Sequence, residues 1–259
     1  SRKMADVNTD SLRFLGTAGA RFVMIKQLRA SGGIWLTAAG TNILIDPGPG
    51  AIVRCAQSRP PLDPARLDAI ILTHRHLDHA NDINVMIEAM TEGGFKKRGI
   101  VFAPSDAFGE DQIILKHALA FPEKIELLTA EASFRVGAFT FQTSMRLIHP
   151  VETYGLRFML GNSQIALLAD TRYFQGIESF CAADVLILPV VFFQPRMGID
   201  HLSFIEALDI IAKARPKQVI LTHFGITMLK ENPLRLARKA SQELGIPIKA
   251  ARDGLRIKF

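Results

Sequence analysis

Cysteine is scarce in this chain, with two in 259 residues. Cys55 and Cys181 lie in segments that read as helical, near no other ligand-type side chain, so neither a thiolate metal site nor a disulfide framework is indicated. Reduced thiols in a cytoplasmic protein are the expectation. No apolar stretch approaches the length needed to cross a bilayer, so no membrane partner is expected. The start, Ser1-Arg2-Lys3-Met4, lacks the apolar core of a secretion signal, and its first three residues read as a cloning remnant. Internal repeats, low-complexity segments and long linkers are also lacking.

What is abundant is apolar surface, 48% of the residues, enough for a continuous core in one domain spanning 1–259. The formal charge of +6 favours anionic partners, because a positive field concentrates an anionic substrate. A small anionic substrate is favoured over nucleic acid. The densest basic run, Lys96-Lys97-Arg98, reads as a loop on a solvated face, with nucleic-acid contact as the lesser reading. The cations from Lys230 to Lys239 read as the exposed side of an amphipathic helix.

Apolar runs bounded by glycine, proline or aspartate predict strands near 11–15, 34–38, 42–46, 68–73, 99–103, 124–128, 133–143, 154–160, 163–169, 184–191, 217–222 and 247–258. Apolar residues at three-to-four spacing predict helices at 50–57, 81–91, 105–120, 203–214 and 227–244, with Ser203 and Glu206 as a capping box for the fourth. Strand-rich and helical stretches alternate in an order that suits an α+β fold. Two sheets packed face to face with helices outside satisfy it, since each sheet must bury both faces.

The chemistry concentrates in Thr73-His74-Arg75-His76-Leu77-Asp78-His79, which follows the apolar run Leu67–Leu72. Imidazole nitrogen and carboxylate oxygen suit a borderline divalent cation such as zinc, and a short loop leaving a strand can aim four side chains at one volume. Three further polar residues close buried-looking strands downstream: His149, Asp170 and His223. There an isolated charge or imidazole would cost several kcal/mol unless paired or metal-bound.

These residues together resemble the metallo-β-lactamase fold superfamily, whose pattern is H-x-H-x-D-H followed by a lone His, a lone Asp and a final His. The resemblance implies a four-layer αββα sandwich of two mixed β-sheets with helices on both outer faces. It also implies two divalent metal ions, zinc first with Mn2+ or Fe2+ as alternatives. His74, His76 and His149 would hold one ion and Asp78, His79 and His223 the other, with Asp170 between them. Asp46, in Asn42-Ile43-Leu44-Ile45-Asp46-Pro47-Gly48, is expected to support the metal loop by hydrogen bonding rather than to bind metal.

The elements Leu15-Gly16-Thr17-Ala18-Gly19, His201-Leu202-Ser203 and Leu221-Thr222-His223-Phe224 look like the phosphodiesterase group, which includes tRNase Z and the phosphoribosyl cyclic phosphodiesterases. Gly16 and Gly19 read equally as a tight turn or as phosphate contacts. The resemblance makes Asp78 catalytic as well as a ligand, and His201 the candidate proton donor to a leaving alkoxide. The other reading of His201 is a helix-capping neighbour bonded to Asp200. Departures matter too: Leu188-Pro189-Val190-Val191-Phe192-Phe193 stands where tRNase Z proteins carry His-Glu-Ala-Thr, and no long arm separates His149 from Asp170. An RNA-processing nuclease is therefore disfavoured.

The expected activity is hydrolysis of a small or cyclic phosphodiester by water ionised between the two cations. A lactone or thioester hydrolase using the same site is the alternative, with Val190-Val191-Phe192-Phe193 as a pocket wall. A di-iron oxidoreductase is disfavoured because His76 stands where those relatives carry glutamate, and a non-catalytic metal-binding protein because all seven ligand positions are filled. Arg172 and Arg196 are candidate grips for a second anionic group, each with surface charge as the plainer reading. A homodimer is compatible with the resemblance, although no heptad or exposed apolar stripe demands one.

Overall fold

Alternate residues along the central strands enter different cores, and this explains why those strands read as unbroken apolar runs. In β4 (Ala69–Ile71), Ala69 and Ile71 join a core between two sheets, while Ile70, with the following Leu72, joins a second core beneath helices. In β12 (Gln218–Thr222), Ile220 faces the inter-sheet core, and Val219 and Leu221 face a third core on the opposite outer side. Covered on both faces, such strands need no polar alternation. Each large aliphatic side chain so buried contributes about 1.5–3 kcal/mol relative to exposure.

The structure, a computed structural model, describes residues 9–259. The Ser1–Met4 stretch, read above as lacking the core of a secretion signal with its first three residues a remnant, lies outside the described residues. The first sheet is built from β1 (Ser11–Phe14), β2 (Ile34–Ala38), β3 (Thr41–Ile45), β4, β5 (Ile100–Ala103), β6 (Lys124–Leu127) and β14 (Arg256–Lys258). Its order is β14-β1-β2-β3-β4-β5-β6, antiparallel from β14 to β3 and parallel from β3 to β6. The second comprises β7 (Ser133–Val136), β8 (Phe139–Arg146), β9 (Tyr154–Leu160), β10 (Ser163–Leu167), β11 (Val185–Pro189), β12 and β13 (Ile248–Ala250). Its order is β13-β12-β11-β10-β9-β8-β7, parallel from β10 to β13 and antiparallel from β7 to β10.

The helices are α1 (Phe22–Ile25), α2 (Ala51–Gln57), α3 (Leu77–Ala80), α4 (Ile83–Met90), α5 (Ile177–Cys181), α6 (Phe204–Ala214), α7 (Ile226–Lys230) and α8 (Pro233–Leu244). Helices α2 and α4 cover the first sheet through Ala51, Cys55, Met86 and Ile87. Helices α5, α6 and α8 cover the second through Phe180, Ala207, Ile210, Ile211 and Ala237. The expected four layers, with helices on both outer faces of two mixed sheets, are thus present. Cys55 and Cys181 are free and buried. Among the described residues no helix is long and apolar enough to cross a membrane.

Four predicted elements come out differently. The 105–120 helix is two short 3-10 turns, Ser105–Phe108 and Lys116–Ala120. Between them the Asn84 side chain of α4 donates to Ile113 O and accepts from Leu115 N, taking backbone groups a continuous helix would use itself. The 227–244 helix is broken into α7 and α8, because Pro233 begins α8 and Asn232 caps it through Arg235 N. The 133–143 strand is a hairpin that turns at Gly137, φ 56°. The 247–258 strand is two strands in different sheets, β13 and β14, with a turn at Gly254, φ 84°. The capping box at Ser203 and Glu206 forms as predicted.

Candidate metal centre

The loop after β4 places its side chains by changing backbone geometry halfway. His74 and His76, two residues apart in extended chain, point to the same side, and their ring centroids are 5.0 Å apart. His76 then becomes the N-cap residue of α3, so Asp78 and His79 lie on the first helical turn. Gly48 lets the Asp46-Pro47-Gly48 segment lie against this turn. A Cβ there would stand 2.0 Å from Ser31 O and 2.1 Å from Asp78 O.

The second sheet supplies the rest from strand ends. His149 follows β8, Asp170 follows β10 and His223 follows β12. Gly19 seats the 15–19 loop on the last of these, since a Cβ there would meet His223 O at 2.5 Å. Close approach to the His223 backbone therefore explains Gly19. Asp46 and His223 both hold positive φ, 55° and 59°, a region that costs a non-glycine residue about 1–3 kcal/mol.

Ligand-type atoms from the two sheets meet. His74, His76 and His149 form one group and Asp78, His79, Asp170 and His223 another, with the ligand atoms of each group within 4.8 Å of one another. His149 Nε2 lies 3.0 Å from His76 Nδ1, and His79 Nε2 lies 2.9 Å from His223 Nε2. Asp170 stands between the groups, with Oδ2 at 3.5 Å from His74 Nε2 and 3.3 Å from His79 Nε2, and Oδ1 at 3.6 Å from His223 Nδ1. Asp78 Oδ2 is 3.2 Å from both His79 Nε2 and His223 Nε2.

A relay beneath the cluster fixes which nitrogens face it. Asp46 accepts from Thr73 N at 2.7 Å, from Thr73 Oγ1 at 2.7 Å and from His79 Nδ1 at 2.9 Å. Having donated to Asp46, the Thr73 hydroxyl accepts from His74 Nδ1 at 3.0 Å. On the other side Asp200 O accepts from His149 Nδ1 at 3.0 Å. In all three histidines the bond at Nδ1 leaves Nε2 turned inward, the tautomer a metal ligand needs.

The donor set fits divalent cations. His74 Nε2, His223 Nδ1 and both Asp170 carboxylate oxygens are buried with no hydrogen-bond partner. Buried polar atoms are otherwise almost always paired, so unpaired atoms converging from separate strands point to a cation. Charge distribution agrees. Burial would raise the Asp170 carboxyl, but the His223, His79 and His201 imidazoles outweigh it and hold the group well below the usual carboxylate range. Burial would lower His79, but Asp78, Asp170 and Asp46 outweigh it and hold the imidazole well above its usual value. Burial, reinforced by His79, pushes His74 down to about 4.

His201 faces the cluster rather than capping a helix. Its Nδ1 is 3.7 Å from Asp170 Oδ2 and its ring centroid 5.2 Å from that of His149, while the Asp200 carbonyl serves His149 instead. Burial pushes His201 down to about 4. Arg196 lies over the Phe192 ring, 4.7 Å from its centroid, and that ring is 6.2 Å from His201. Arg172 is exposed. The Lys96–Arg98 run is tied into the fold: Lys96 pairs with Glu92, and Arg98 donates to Ala65 O, Met90 O and Asp68. Sequence reasoning missed Thr73 and the Asp200 carbonyl. The hydroxyl next to the first histidine was visible, but a backbone acceptor leaves no mark in sequence.

The β-lactamase superfamily domain matches residues 41–224, which include every residue of the cluster. The chain is 31% identical to the protein MJ1374 of Methanocaldococcus jannaschii over 257 residues, 95% of this chain and 94% of that one. Among solved structures, the metallo-β-lactamase fold protein YhfI from Bacillus subtilis superposes with a TM-score of 0.79 at 23% identity, covering 97% of this chain and 100% of that one. A diphosphatase from the PhnP family superposes with a TM-score of 0.72 at 19% identity, covering 96% and 97%.

Proposed function

We propose, for a chain that belongs to the β-lactamase superfamily, that it is a metal-dependent hydrolase acting on a small or cyclic phosphodiester. The observation that carries this reading is the convergence of His74, His76, His149, Asp78, His79, His223 and Asp170, with buried atoms that no protein group satisfies. His74, His76 and His149 would hold one divalent cation and Asp78, His79 and His223 a second, with Asp170 shared. Cations there would make water a nucleophile near neutral pH and offset negative charge on phosphate oxygens.

The chain's own residues do the positioning. Asp46 and Thr73 keep His74 Nε2 and His79 Nε2 aimed inward, and the Asp200 carbonyl does so for His149. His201 presents Nδ1 to Asp170, which leaves Nε2 to carry a proton to the leaving oxygen. Held at about 4, the ring is neutral at pH 7 until an anion beside it raises its proton affinity. Arg196, exposed like Arg172 but lying over Phe192 near His201, is the better placed of the two to meet a second anionic group.

One observation favours an acyl substrate instead. Phe192 sets an apolar ring 6.2 Å from His201, a wall that would suit a lactone or thioester. Against it stand the formal charge of +6 and the likeness to a PhnP-family diphosphatase. The test compares bis-p-nitrophenyl phosphate, a five-membered cyclic phosphate and an acyl lactone under the same zinc or manganese supply, with His76→Ala as control. Phosphodiester turnover that exceeds lactone turnover and vanishes in the variant supports the reading. Preferred lactone turnover, or unchanged phosphodiester turnover in His76→Ala, overturns it.

A further inference from the structure

A second cavity lies at the edge of the second sheet and shares no lining residue with the pocket at the metal centre. It is a half-open groove of about 590 Å3, within the roughly 300–1,000 Å3 typical of small-molecule sites. Helix α8, strand β13 and residues Ala251, Arg252 and Leu255 form its walls. Four cations line it, Arg29, Arg238, Lys249 and Arg252, and no carboxylate does.

Three of these cations are not neutralised within the fold, while Arg29 is linked to Asp253 through Thr17, whose hydroxyl donates to that carboxylate. Along α8, Arg235 pairs with Glu231 and Lys239 with Glu243, each one turn away, but Arg238 has no such partner. Among the described residues, the side chains of Arg238, Lys249 and Arg252 make no ion pair. Like charges gathered round a cavity repel one another, and an anion relieves that repulsion. Arg29 is already fixed, donating to Thr17 Oγ1 at 2.9 Å and Ala251 O at 3.4 Å, with its guanidinium 5.7 Å from the Phe224 ring centroid.

The wall between the charges is apolar. Leu234 and Leu255 line it, Leu234 being 60% exposed on the surface of α8, with Ile248 buried behind them. Inorganic anions gain nothing from such a surface, whereas a phosphorylated ring compound uses both features. We propose that this groove is a second ligand site, independent of the hydrolytic reading, for a small organic polyanion of the nucleoside diphosphate class. The phosphates meet Arg238, Lys249 and Arg252, and the ring lies on the Leu234 and Leu255 side chains.

The test is calorimetric titration of the zinc-loaded full chain with adenosine diphosphate and, separately, with inorganic pyrophosphate. The wild type and His76→Ala should bind the diphosphate alike and more tightly than pyrophosphate. Arg238→Glu/Lys249→Glu should weaken binding about tenfold or more, the loss expected for charge-assisted hydrogen bonds. Turnover of bis-p-nitrophenyl phosphate should stay unchanged in that variant. If reversing two charges lowers the melting temperature, Arg252→Gln reads the same loss with a smaller perturbation. Absent saturable binding, binding unchanged in the groove variants, binding lost in His76→Ala, or equal affinity for pyrophosphate would each overturn the proposal.

Discussion

The two sheets contribute to the metal centre in opposite ways. The first sends four side chains, His74, His76, Asp78 and His79, through one loop of six residues, while the second sends His149, Asp170 and His223 from three strand ends. Geometry within the loop is set locally by an extended segment running into a helical turn. Geometry among the strand ends is set by sheet register. Asp170 and His223 follow strands separated by β11, two spacings of about 4.8 Å, yet their side chains approach to 3.6 Å. One half depends on a few backbone angles and the other on the whole second sheet.

Both halves are needed for either group of ligand atoms, because each group draws on both sheets. Replacing one residue from each tests that equality. His76→Ala and His149→Ala should each lower phosphodiester turnover about a thousandfold or more, given several kcal/mol of transition-state stabilisation from a cation. Each should also lower bound zinc, measured by elemental analysis. A mild effect of His149→Ala beside a severe one of His76→Ala would make the loop sufficient and break the comparison.

The same contrast decides what the sequence made legible. The loop was readable because its ligands are adjacent and follow an apolar run. His149, Asp170 and His223 were readable only as a set, each being an unremarkable polar residue after a strand. Asp46 was readable as a support, and it does bond Thr73 and His79. Where elements were misjudged, a distant partner or a turn decided the outcome. Asn84 interrupts the 105–120 segment from another helix, which no local pattern records. Asn232-Pro233 caps and starts α8, so the apolar spacing read as one helix over 227–244 runs across a break. The turn at Gly254 carries the chain from one sheet to the other, and an apolar run cannot encode which sheet it joins.

The relay under the loop offers a graded perturbation. Asp46→Ala should lower zinc affinity about 10–100-fold, as loss of a group that orients ligands does, with no ligand removed. Competition with a chromophoric chelator reads this, and affinity equal to wild type would show that the loop needs no support from beneath. Gly48→Ala places a methyl on the Ser31 and Asp78 carbonyls and should lower stability by about 1–3 kcal/mol. Denaturant unfolding measures it, and an unchanged midpoint would mean that the loop yields without loss.

The smallest effect concerns protons in chelator-treated protein. His74 and His201 are held at about 4 against an ordinary 6.5, so the unfolded chain binds their protons first as pH falls. Their contribution is therefore complete above pH 6.5 and is lost between 6.5 and about 4, by about 1 kcal/mol per histidine per pH unit. His79, held high, keeps its contribution below 6.5 and loses it as pH rises through its folded value, so it does not offset the acid loss. Thermal melts at pH 6.5 and 5 should differ less for His201→Gln than for wild type. An equal difference would contradict a neutral, buried His201.

The most direct test of convergence from two sheets on one centre is a zinc-edge anomalous difference map of a crystal grown with zinc. The account predicts two peaks inside the cluster, one bounded by His74, His76 and His149 and the other by Asp78, His79 and His223, with Asp170 between them. A map with no peak there, or with zinc held by the His74–His79 loop alone while His149 and His223 point elsewhere, would contradict it.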